Sequence, residues 1–228
     1  MSGVRCSVGF VFECVFDIDP ETGEAALRAQ VEQFEQLKSA AAAAQARATA
    51  LWAAKRVAAE QVSGVPAAKR GRGLASEVAL ARHDAPVKGS QHLGFATALV
   101  QEMPHTLAAL AAGVLSEWRA TLIVRESACL TVEHRGALDR ELCADMARLA
   151  GWGNTRVEAE AKKIALRLDA AAVVERAAKA ANDRCVTIRP APDTMTWVSV
   201  LLPVAQGVAV YAACKRAADT TFDGRSRG

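Results

Sequence analysis

The side chains with the greatest chemical reach in this sequence are few and widely spaced. His83, His92, His105 and His134 are the only histidines, and none stands in the H-E-x-x-H pattern that puts two ring nitrogens on one helical face. The six cysteines contain no C-x2-C pair. Cys6 and Cys14 lie near the start, while Cys129, Cys143, Cys185 and Cys214 each sit in an apolar pattern that reads as a small buried thiol. Neither zinc nor a disulfide is expected, and no cofactor is implied. Glu133 beside His134 offers an acid and a base, but neighbours on a helix point about 100° apart and do not face each other. No nucleophile elbow and no Walker A loop occur, and Gly71-Arg72-Gly73 begins a dinucleotide pattern without a preceding strand. No residue is assigned a catalytic role.

Two polar groups remain. Glu117-Trp118-Arg119 is followed by Arg125-Glu126, with Glu117 and Arg125 eight residues apart and Arg119 and Glu126 seven apart. Each interval is two helical turns, so these charges flank the face that carries Trp118 and Leu122. They can lock helix packing through paired charges. A guanidinium also forks onto two oxygens, so the same cluster can clamp a carboxylate or a phosphate. The second group is basic: Lys69, Arg70 and Arg72 surround Gly71 and Gly73, and Arg82 and Lys88 follow in a turn-rich stretch. Glycine allows a phosphate backbone close and the cations supply charge, which makes these five residues candidate nucleic-acid contacts. A solvated surface reads the same way. Arg189 and Asp193, around Pro190 and Pro192, suggest a locked turn.

The elements that must hold these groups are mainly helical. The chain has 228 residues, 51% of them apolar and 23% charged, with alanine abundant. Twenty-eight basic against 25 acidic residues leave a net charge of +3, too little to argue for wrapping nucleic acid on charge alone. No run of 18 apolar residues lacks a charge, so no membrane span is expected. The apolar start is interrupted by Glu13 and shows no small-x-small site before Asp17. A signal peptide is therefore disfavoured, and a cytoplasmic location is expected.

Residues 1–20 form a separate N-terminal segment, and a long helical arm follows over 21–64, ended by Gly64 and Pro66. Phe34, Leu37, Ala41, Ala44, Ala48 and Leu51 recur at threes and fours in it, which predicts a packing seam and, if the rest of the chain leaves it uncovered, a homo-oligomer contact. Residues 65–221 read as a helical domain. Pro104, Ser116, Thr131 and Asp169 mark helix starts, and Thr155 with Glu158 makes a capping-box pattern. A β-hairpin is predicted over 184–202, its turn at Pro190-Ala191-Pro192-Asp193, with a last helix opened by Pro203. An isolated hairpin is marginal in water, so this one is expected to lie on the helices or to gain strands, Val8–Phe16 being one candidate. Residues 222–228 read as a tail or the start of a linker.

Gly73–Pro86 (GLASEVALARHDAP), Glu102–Glu126 (EMPHTLAALAAGVLSEWRATLIVRE), Arg167–Ala180 (RLDAAAVVERAAKA) and Val186–Ala213, with RPAPDTM and LLPVAQGVA inside it, resemble the domain of unknown function 222 family, found in the mycobacterial thirteen-E-twelve repeat proteins. The similarity spans roughly Glu24 to Asp219. It implies an N-terminal module of proteins that commonly end in a small HNH-type nuclease domain. No histidine follows His134 here, so that domain's metal-binding motif is absent from this sequence. The resemblance thus implies a partial, non-catalytic module, related to the targeting or regulatory part of a DNA nuclease, with DNA and a separately encoded nuclease domain as partners. A structural, self-associating helical protein is the alternative. A small-molecule enzyme using Glu117, Arg119 and Arg125 is the weaker one.

Overall fold

A computed structural model describes residues 18–220. Nine α-helices and one hairpin occur among them. The arm is a single helix, α1 (Glu24–Val62), starting three residues later than the sequence suggests. It is followed by α2 (Leu74–Ala81), α3 (Gly89–Gln101), α4 (Pro104–Ala111), α5 (Glu117–Ser127), α6 (Val132–Cys143), α7 (Asn154–Leu168) and α8 (Ala170–Ala180). Strands β1 (Cys185–Pro190) and β2 (Thr196–Leu201) then pair antiparallel, and α9 (Val204–Thr220) closes the described chain. The predicted segments 1–17 and 221–228, including the candidate strand Val8–Phe16, lie outside the described residues.

Local chemistry explains most helix starts. Pro104 opens α4, where its missing N–H costs nothing. Ser116 accepts from the Arg119 N–H, Thr131 from the His134 N–H and Asp169 from the Ala172 N–H, each satisfying a donor of the first turn. The capping box at Thr155 and Glu158 does not form. Helix α7 begins two residues earlier, at Asn154 behind Gly153, and Glu158 faces Arg125 instead.

The core is one cluster contributed by α1 and α3 to α7, with Leu99, Met103, Leu110, Ile123, Leu138, Leu142 and Val157 fully buried. Helix α1 lies along α3 and α4, α2 packs on α3, α5 on α7, and α6 on both α4 and α7. One buried carboxylate ties this core together. Asp139 of α6 accepts from the backbone N–H of His105 (2.8 Å) and Thr106 (2.7 Å) and from the Thr106 hydroxyl (2.6 Å), supplying α4 with the acceptor its first turn lacks.

Three expectations need correction. The face that α1 buries is Ser39, Ala42, Ala43, Ala46 and Ala50, one ridge over from the predicted seam. Alanine occupies both ridges through the middle of α1, so periodicity alone does not choose between them, and close packing against α3 and α4 favours the ridge without large side chains. Leu37, Ala41, Ala44, Ala48 and Leu51 stay exposed and Phe34 is half-buried. The cysteines also divide: Cys143 is buried and Cys129 half-buried, but Cys185 and Cys214 are exposed because the hairpin and α9 bury nothing. Every residue of both strands is exposed, so among the described residues the hairpin is not laid on the helices, and the added strand expected from Val8–Phe16 falls outside them.

Candidate functional site: a groove between two helices

Parts of the two polar groups of the sequence meet on one surface, Arg82 and Lys88 with Glu117, Trp118 and Arg125. Lys88 ends the short 3₁₀ turn before α3, while Trp118 projects from the first turn of α5 and remains 54% exposed. Two adjoining depressions of about 320 and 500 Å³ share Lys88, Gln91, Phe95, Trp118 and Thr121, so together they form one open groove. Arg82, Asp84 and His92 line one part of it, and Arg125 lines the other.

Gly89 sets how closely this groove is drawn against the rest of the bundle. A Cβ there would fall 1.8 Å from the carbonyl oxygen of Ala75 in α2, so α3 can start this close to α2 only with glycine at that point. Lys88 precedes this contact directly, and His92 lies one turn beyond it. His92 Nε2 stands 2.8 Å from Asp84 Oδ2, and Asp84 also accepts from the Ala85 N–H. The His92 hydrogen bond, followed by that backbone bond, lowers the Asp84 pKa below its ordinary value.

Most charges around the groove are already engaged. Arg82 donates to Glu117 Oε1 at 2.7 Å, joining the end of α2 to α5. Arg125 donates to Glu158 Oε1 at 2.9 Å and to Glu126 Oε1 at 3.3 Å. Arg119 turns away to Asn154 Oδ1, 3.2 Å distant at the start of α7. Glu126 is buried and also holds Arg176 of α8. Burial of Arg176 opposes its charge, but Glu126 and Cys129 outweigh that and raise its pKa above the ordinary value. Glu117, Arg119, Arg125 and Glu126 thus radiate from α5 to different neighbours and do not converge on one closed pocket.

The basic candidates are likewise split. Arg70 is drawn back onto the Val65 carbonyl (2.9 Å), and the Gly71 N–H donates to Glu60. Lys69 and Arg72 are exposed beside it, and Lys88 donates to Gln91 at 3.4 Å while its charge acts on the nearby Asp84 carboxylate. Lys69 and Arg72 do not line the groove, whereas Arg82, Lys88 and Arg125 do. Sequence reasoning passed over His92, Asp84 and Gln91. The one available signal was that Gln91 and His92 lie three and four residues past Lys88, within the first turn of the helix that follows it. Among the described residues, no three His, Cys, Asp or Glu side chains gather as a metal site.

Fold and groove together define a mainly helical domain with an open, aromatic-floored surface cleft. The chain belongs to the family described as "Domain of unknown function (DUF222)", which it matches over residues 24–226. No curated protein and no solved structure matches it. No described helix is long and apolar enough to cross a membrane.

Proposed function

We propose that this chain is a non-catalytic binding module that takes single-stranded nucleic acid into the groove between α3 and α5. The observation that carries the reading is the exposed indole of Trp118 in a cleft that also presents Lys88 and Arg125. An exposed aromatic ring stacks any base, and flanking cations hold the phosphates on either side. Arg82 and Arg125 keep part of their fork for their carboxylate partners, so they steer and position, while Lys88, held by a long hydrogen bond to Gln91 and by the charge of Asp84, supplies the phosphate contact. Lys69 and Arg72 lie exposed outside the cleft and form a separate basic surface. The resemblance to modules that precede HNH nucleases supplies the context: such a module would present DNA to a nuclease domain.

Fluorescence anisotropy of a labelled single-stranded 12-mer tests this. Trp118→Ala is expected to weaken binding about 5- to 150-fold, the value of one stacked base. Lys88→Glu is expected to weaken it and to flatten its salt dependence by about 0.7 in the log–log slope for each phosphate no longer neutralised. Binding unchanged in both variants, or no binding at low salt, refutes the proposal.

A second reading, self-association through α1, is favoured by the open positions Leu37 and Leu51. Sedimentation equilibrium of the Leu37→Glu/Leu51→Glu double variant decides it. Loss of a dimer supports that reading, and a monomeric parent ends it.

A further inference from the structure

The exposed indole of the groove borders a second hollow. Helix α1 passes the start of α5 there, and Glu35, Lys38 and Ser39 of α1 enclose, with Ser116, Glu117 and Trp118, a depression of about 230 Å³. It shares Glu117 and Trp118 with the groove, so both open on the same ring.

A close backbone approach holds this hollow together. Gly113, in the turn between α4 and α5, has φ +76°, and a Cβ there would fall 2.9 Å from Gln36 Cα. That turn, and the Ser116 that follows it, can therefore lie this close to α1 only with glycine at position 113. The hollow is smaller than the roughly 300 Å³ at which sites for drug-sized ligands begin, and it suits a single flat ring system.

Its open hydrogen-bonding groups are mostly acceptors. Lys38 Nζ donates to Glu35 Oε1 at 2.7 Å and Arg82 to Glu117 Oε1 at 2.7 Å, so each carboxylate has its charge balanced and keeps Oε2 as an acceptor. The Ser39 hydroxyl gives its proton to the Glu35 carbonyl at 2.9 Å and is left with lone pairs. Ser116 Oγ receives the Arg119 N–H. The cation here is Lys38, whose side chain is 71% exposed and has further N–H groups to offer. A ligand matched to this lining is uncharged and flat, brings adjacent N–H donors to the carboxylate oxygens and sets an acceptor beside the ammonium. Guanine has such an edge, with N1–H and the N2 amine side by side and O6 next to them. Adenine and cytosine carry a ring acceptor where the second donor is needed, and thymine flanks its one N–H with two carbonyls.

We propose that this hollow is a guanine-reading subsite of the groove. A guanine seated against Trp118 turns N1–H and the N2 amine to Glu35 and Glu117 and its O6 to Lys38, while the rest of the strand continues between α3 and α5. This rests on the single-strand reading above and adds a base preference, which stacking alone does not give.

Fluorescence anisotropy with the full chain and labelled 12-mers tests it. The probes are oligothymidine and the same strand carrying one central deoxyguanosine, deoxyinosine, deoxyadenosine or deoxycytidine. The deoxyguanosine strand is expected to bind at least about fivefold more tightly than oligothymidine, the low end for a bidentate base contact because both carboxylates are partly exposed. Deoxyinosine, which lacks the N2 amine, is expected to lose most of that gain. Glu35→Gln is expected to bring the ratio of the two affinities close to one with an unchanged circular dichroism spectrum, whereas Lys88→Glu lowers both affinities and keeps their ratio. Equal binding of all strands, a preference for deoxyadenosine or deoxycytidine, or a guanine preference that survives either deoxyinosine or Glu35→Gln overturns the subsite and leaves the groove standing. Binding of no strand at low salt overturns both.

Discussion

Two glycines on the same helix should respond to the same substitution with opposite signs. Gly89 and Gly94 both lie in α3, but a Cβ at Gly94 meets nothing within 4 Å, whereas one at Gly89 would stand 1.8 Å from Ala75 O and 2.5 Å from Ala75 C. The obstacle at Gly89 is backbone, which cannot rotate away as a side chain can. Restoring ordinary contact needs α2 and α3 to part by about 1.5 Å in a close-packed interior. Overpacking of this kind costs about 3 kcal/mol, and the better helix propensity of alanine returns about 1 kcal/mol. Gly89→Ala should therefore lose about 2 kcal/mol, a fall of about 4–8 °C in Tm for a chain of this size. Gly94→Ala should gain up to about 1 kcal/mol from propensity alone. Thermal unfolding followed by far-UV circular dichroism reads both. Because Lys88 adjoins the contact, Gly89→Ala should also weaken oligonucleotide binding. A Gly89→Ala variant as stable as the parent refutes the tight α2–α3 approach on which the groove geometry depends.

Other perturbations probe the scaffold and its charges. Asp139→Ala strands the His105 and Thr106 N–H groups and a buried hydroxyl, and urea unfolding should show a loss of about 3–5 kcal/mol, with Asp139→Asn costing less. Glu77 is held below its ordinary pKa of 4.5 by hydrogen bonds from Arg56, which join α1 to α2. A depressed carboxylate pKa stabilises the fold above 4.5, and that contribution is lost as pH falls through the lower folded value; the stability gap between parent and Glu77→Gln should be constant above about pH 5.5 and close in acid. Burial pushes the Cys143 thiol up to about 12, so a thiol reagent at about pH 8 should modify exposed Cys185 and Cys214 rapidly and Cys143 only on unfolding. Incubated with plasmid and Mg²⁺, Mn²⁺ or Zn²⁺, the purified chain should leave the DNA uncut on an agarose gel.

Helix starts were legible because their chemistry is local: Pro104, Ser116, Thr131 and Asp169 each act within one turn of themselves. The hairpin was legible for a similar reason, its β-branched runs being separated by a proline-rich turn. Which ridge of α1 is buried was not legible, because alanine lies on both and the choice rests on how closely distant helices approach. The capping box at Thr155 and Glu158 failed for a related cause: a tertiary ion pair with Arg125 claimed the glutamate. The groove lay between these cases. Its residues were visible as two separate polar groups, 69–88 and 117–126, but their meeting depends on Gly89 allowing α3 against α2, a long-range contact that no spacing announces. The sequence offered even less for the bare hairpin face, since alternation shows which residues share a face but not whether another element covers it.

The most direct test of groove binding is to map where nucleic acid touches the protein. Ultraviolet crosslinking of the full chain to a short single-stranded oligonucleotide, followed by peptide mass spectrometry, should place adducts on Trp118 and on the α3 peptide that carries Lys88, Gln91 and His92, and high salt should abolish them. Adducts confined to other surfaces, or none at low salt with the protein folded, would contradict groove binding.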